Sequence, residues 1–110
     1  MASGINQREQ ALEAKYHHDQ ELSFKIKSKR NKYFGLWLAG HLGLKDHDAE
    51  TYARTLTSLA LTCPEDADLL QHIFNEVQEK KIPLTFVQLE KQLQYCHDDA
   101  RLEYMGKTTT

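Results

Sequence analysis

The sequence predicts an all-α fold, a helical bundle carrying an N-terminal arm. Only two prolines and five glycines interrupt 110 residues, and the stretches between them space their apolar residues helically instead of alternating them as strands do. A third observation sets the arm apart. Between Ile5 and Asp19 the large apolar residues are only Ile5, Leu12 and Tyr16, a stripe too narrow to build a core.

From Asn6 to about Leu42 there is no proline and helix formers dominate, so one long helix or a broken pair occupies this stretch. Its apolar face widens from Leu22 onward through Phe24, Ile26, Tyr33, Phe34, Leu36, Trp37, Leu38 and Leu42, and the packed body is expected to begin near Leu22. Gly43 is the expected left-handed residue that closes the helix. Gly35, inside it, is unfavourable by about 0.5–1 kcal/mol relative to Ala unless a neighbouring helix approaches closely there.

Asp46 or Asp48 is expected to cap a second helix, whose Tyr52, Leu56, Leu59 and Cys63 fall on one face before Pro64 ends it. Pro64 also suits the first turn of a third helix, with Glu65, Asp66 and Asp68 complementing the dipole and Leu69, Leu70, Ile73, Phe74 and Val77 turned inward. After a turn at Ile82-Pro83, Thr85 and Gln88 have capping-box spacing, and Phe86, Leu89, Leu93, Cys96 and Ala100 line the inner face of a last helix. Three or four such helices joined by short loops predict an antiparallel bundle over residues 21–105, with a frayed tail at 106–110. Residues 1–20 are left as an arm. Its few apolar groups cannot offset roughly 1–2 kcal/mol of backbone entropy per ordered residue, so in isolation it is expected to be mobile or only partly helical.

The formal net charge of −2 hides an asymmetry. Residues 1–32 hold seven Lys/Arg against four Asp/Glu, and the remaining residues are correspondingly acidic. Two cysteines, Cys63 and Cys96, are too few for a disulfide framework, which points to a reducing cytoplasm. No apolar run approaches membrane-spanning length, and Met1–Gln10 lacks the apolar centre of a signal peptide.

The run Asn31-Lys32-Tyr33-Phe34-Gly35-Leu36-Trp37-Leu38-Ala39-Gly40-His41-Leu42-Gly43-Leu44 resembles the R-R-N-K-x-x-G-L-W-A-A-x-x-L-G pattern of the zeta-type inhibitor family of α-proteobacterial ATP synthases. Upstream, Arg8-Glu9-Gln10-Ala11-Leu12-Glu13-Ala14-Lys15-Tyr16 is similar to that family's R-E-x-A-F-E-x-K-[YF], and His18-Asp19 with Glu21-Leu22 and Phe24-Lys25 to its H-D-x-E-L-x-F-K. The resemblance implies a four-helix bundle with an N-terminal inhibitory arm, acting on F1Fo ATP synthase at the cytoplasmic side of the inner membrane. In that family the arm enters a catalytic interface of the F1 head, between its alpha, beta and gamma subunits. There it becomes helical and blocks rotation driven by hydrolysis, while rotation in the synthesis direction tends to expel it.

Carried onto this chain, the resemblance makes Ile5, Leu12 and Tyr16 apolar anchors and Arg8, Glu9 and Glu13 contacts to charged walls. Lys25, Lys29 and Arg30 would dock the base of the arm on an acidic surface. The chain is expected to be a monomer when free, without catalytic activity and without direct membrane insertion. Where the family has Phe and acidic residues before the Arg-Glu pair and Phe after it, Ile5, Asn6, Gln7 and Leu12 stand here, which points to weaker inhibition.

Other readings of the same residues are weaker. Lys25, Lys27, Lys29, Arg30 and Lys32 could be a nucleic-acid footprint, making the chain a small adaptor for RNA or another protein, but a solvated helix face explains them as simply. Tyr33, Phe34 and Trp37 read as core before they read as a stacking platform. Adjacent His17 and His18 diverge by about 100° on a helix, and Cys96, His97, Asp98 and Asp99 splay outward, so no metal is expected. No cofactor is expected. Nucleotide binding has been associated with the family's bundle, and without a Gly-rich phosphate loop the cations from Lys25 to Lys32 are its first suspects.

Overall fold

The computed structural model describes the backbone of residues 2–105 and the side chains of residues 20–105. The expected tail at 106–110 lies outside the described residues, as do the side chains of Ile5, Arg8, Glu9, Leu12, Glu13 and Tyr16. Among the described residues there are four helices and no strand: α1 (Ala2–His41), α2 (Asp46–Thr62), α3 (Asp66–Glu79) and α4 (Phe86–Met105). Helix α1 packs chiefly against α2 and α4, while α3 leans on α4 and more lightly on α2.

All four helices or their connections feed one core, in which Phe34, Leu38, Leu56, Leu69, Ile73, Val77 and Leu89 are almost completely shielded from water. Burying side chains of this size contributes about 1.5–3 kcal/mol each, the main favourable contribution to such a fold. Among the described side chains of α1, Ile26 is the first buried apolar one, and Leu22, one turn earlier, is half-buried. Phe24 departs from expectation, being 60% exposed. The reason is rotational: Phe24 lies two positions from Ile26, about 200° around the helix, so both cannot face the core.

The close approach that Gly35 required is present. A methyl group on Gly35 would stand 2.7 Å from Cα and 3.0 Å from Cβ of Ala53, so α1 and α2 meet there backbone to backbone. Gly43 closes α1 with φ of 79°; the Leu44 N–H donates to the Ala39 carbonyl at 2.9 Å and the Gly43 N–H to that of Gly40 at 3.2 Å. These two bonds satisfy carbonyls that the helix end would otherwise leave unpaired.

The start of α2 differs from expectation. Lys45 is the extended N-cap and offers no side-chain bond, while Asp46 and Asp48 lie within the first turn, Asp46 with φ of 51°. Their carboxylates still oppose the positive helix end, without bonding to it as caps. Pro64 likewise stands outside α3, ahead of the extended N-cap Glu65. A residue before proline is driven from helical geometry, and Cys63 accordingly takes φ −95°, ψ 120° and ends α2. At α4 the capping box forms in both directions: the Gln88 N–H donates to Thr85 Oγ1 at 3.1 Å and the Thr85 N–H to Gln88 Oε1 at 2.9 Å.

Candidate functional site

Lys25, Lys29 and Arg30 lie on α1 past its midpoint, and the structure gives them three different environments. Lys25 is exposed. Lys29 is half-buried, 3.5 Å from Glu103 of α4 and 5.8 Å from the centre of the Tyr33 ring. Tyr33 donates its hydroxyl hydrogen to the same Glu103, and that bond, helped by burial, pushes the Tyr33 hydroxyl up to about 12.

Arg30, which charge alone groups with the solvent-facing cations, is turned inward and only 4% exposed. Its two terminal nitrogens donate to the two carboxylate oxygens of Asp66 at 3.0 and 3.1 Å, and Nε and Nη2 donate to Asn31 Oδ1 at 3.0 and 2.9 Å. A two-point guanidinium–carboxylate pair is both stronger and more directional than a single contact. α1 and α3 have no close backbone approach, and this pair joins them directly beside the core that they share. The sequence held the signal: Ile26, Arg30, Phe34 and Leu38 recur every fourth residue, which places Arg30 on the buried stripe.

Two of the grooves beside this part of α1 involve α2. One, about 570 Å³ and open to solvent, runs between α1 and α2 and brings Lys32 and Arg54 together with the hydroxyl-bearing Ser28, Thr57 and Ser58 and with Glu50. The nucleotide reading meets two cations there beside a carboxylate, but not the backbone cradle of a phosphate loop. The other, about 360 Å³, lies between α1, the end of α2 and the start of α3, with Phe24 and Leu61 at its edges. Among the described residues, no three His, Cys, Asp or Glu side chains gather as a metal site requires, and no helix is long and apolar enough to cross a membrane.

Four helices joined by short connections have the bundle layout that the sequence resemblance implied. The family model of the ATPase inhibitor subunit zeta matches residues 1–103. The chain belongs to that family. The match takes in residues 1–20 as well as the greater part of α4. No curated protein and no solved structure matches the chain.

The sequence reading missed Asp66 as the partner of Arg30 and the exposed pair Phe24 and Leu61. It found the core aromatics: Phe34 is fully buried, and Trp37 stacks on it at 5.9 Å between ring centres while meeting the His41 ring edge-on at 4.5 Å.

Proposed function

We propose that this chain inhibits ATP hydrolysis by F1Fo ATP synthase, residues 1–20 entering a catalytic interface of the F1 head and blocking rotation in the hydrolysis direction. The observation that carries this reading is the family match across residues 1–103, which includes the segment that would enter. As a helix, ~20 residues extend on the order of 30 Å, enough to reach from a bundle into a cleft between subunits. Ile5, Leu12 and Tyr16 form its apolar edge, with Arg8, Glu9 and Glu13 meeting charged walls of the alpha, beta and gamma subunits. Lys25 faces the partner at the base, while Lys29 is held by Glu103 and Arg30 holds α1 to α3. So bound, the chain sits on the cytoplasmic side of the inner membrane, peripheral to it.

The bundle's part is to hold the entering segment against a load. The Gly35–Ala53 contact and the Arg30–Asp66 pair support that role, since both fix α1 relative to its neighbours. The RNA-adaptor reading is weakened by the same geometry. Arg30 is committed internally and Lys29 is paired with Glu103, which thins the basic segment to Lys25, Lys27 and Lys32. The test is hydrolysis by the cognate enzyme titrated with the full chain and with a chain lacking residues 1–20. Full inhibition by the first and none by the second is expected. Equal inhibition by both would refute the assignment.

A further inference from the structure

Phe24 and Leu61 are among the most exposed large apolar side chains described, at 60% and 68%. Scattered single apolar residues on a surface are ordinary and carry no meaning by themselves. These two share one concavity, whose apolar wall continues through Ala60, Cys63 and Pro64 to the buried Leu69. Phe24 also lines a second, shallower depression with Gln20, Glu21 and Lys25, so it stands as a ridge between two hollows.

Charge and position say what the concavity faces. Lys25 and Lys27 flank Phe24 on α1; both are exposed, and neither has a carboxylate within ion-pair distance among the described residues. On the opposite rim Asp66 is already neutralised by Arg30, leaving Glu65 as the acidic group there. Phe24 lies one turn beyond residue 20, where the proposed inserted segment ends, so any surface gripping that segment passes next over Phe24.

We infer that the Phe24–Leu61 groove is a second contact with the ATPase head, taking an apolar side chain that has a carboxylate beside it. The inference rests on the proposed function. It adds an anchor outside the catalytic interface, where an apolar contact inside a charged rim has the usual anatomy of a docking surface. The entering segment then supplies the block and the groove supplies affinity.

The experiment compares full-length wild type, F24S/L61S, K25E/K27E and the chain lacking residues 1–20, titrating each into the cognate enzyme and reading ATP hydrolysis. Because the altered side chains are exposed, melting followed by circular dichroism is expected to match wild type, which separates lost contact from lost fold. F24S/L61S should need about tenfold more protein for half-inhibition, as expected when a small apolar anchor is lost, while still inhibiting fully at saturation. K25E/K27E should shift the titration the same way, more so at low salt. An unchanged midpoint for F24S/L61S, alongside a chain lacking residues 1–20 that no longer inhibits, overturns the groove and leaves the proposed function standing. Full inhibition by the shortened chain overturns the proposed function itself. Sedimentation provides the remaining arm: a dimer of the free protein that F24S/L61S dissolves, with inhibition unaltered, assigns the groove to a second copy and overturns the inference.

Discussion

Replacing Gly35 with Ala tests the central packing contact of the bundle. In an exposed helix interior this change stabilises by about 1 kcal/mol, because Ala loses less backbone freedom on folding. Here the new methyl group would lie 2.7 Å from Cα of Ala53, well inside the distance at which real carbon atoms meet. The obstacle is backbone, so no side-chain rotation relieves it, and α2 must move away from α1. Overpacking costs typically 1–3 kcal/mol, and a 2.7 Å approach to backbone belongs in the upper part of that range, about 2–3 kcal/mol, which less the gain in propensity leaves a net loss of about 1–2 kcal/mol. For a domain near 100 residues this lowers Tm by roughly 4–16 °C. Urea and thermal unfolding of G35A would measure it. The double variant G35A/A53G should recover only part of the loss, since it removes the 3.0 Å contact with Cβ and leaves the one with Cα. A G35A protein as stable as wild type, or more so, would refute the claim that the two helices touch at this point.

Three further outcomes follow from local geometry. Lys81 ends α3 in the left-handed conformation at φ 57°, with the Ile82 N–H bonded to the Val77 carbonyl at 2.9 Å, so K81G should stabilise by about 0.5–1 kcal/mol in urea unfolding; a loss would contradict the strain argument. Removing the carboxylate in D66A leaves a buried guanidinium with only Asn31, and a loss of about 1.5–3 kcal/mol is expected, moderated because Asp66 is half open to water; R30M/D66A should unfold at higher urea than D66A. Tyr52 donates to Glu76 at 3.1 Å, and burial first, then that carboxylate, pushes its hydroxyl's pKa up; together with Tyr33 near 12 this makes stability fully present below about pH 10 and lost as pH climbs through the raised values. An ultraviolet titration should find tyrosines that ionise only as the fold is lost, and ionisation of every tyrosine near pH 10 in a still-helical protein would contradict this.

What could be read from the sequence was what local chemistry decides. Gly43 and the Thr85–Gln88 pair sit where they were expected because each answers a need of the nearest helix end, and the spacing that states the need lies within a few residues. Gly35 announced a close neighbour, yet nothing nearby in the chain named Ala53, which is set by how α2 folds back. Arg30 was grouped with the lysines around it because charge was weighed above position, although its four-residue spacing from Ile26 and Phe34 put it inside. Phe24 erred in the opposite sense: an aromatic residue was counted toward the core where rotation about the helix turns it outward. Lys45 displaced the aspartates as cap because the connection after Gly43 leaves it, and not Asp46, in the extended geometry that a cap adopts.

The bond between Arg30 and Asp66 has a mechanical meaning. Apolar helix faces resist being pulled apart but tolerate sliding, since one ridge fits the next groove nearly as well as its own. A forked cation on a forked anion has a single seating, and a shift of one helical turn, about 5.4 Å, would break both of its bonds at once. Under the proposed function, thrust along α1 would be handed to α3 at a fixed notch, so the bundle would yield by fracture and not by creep.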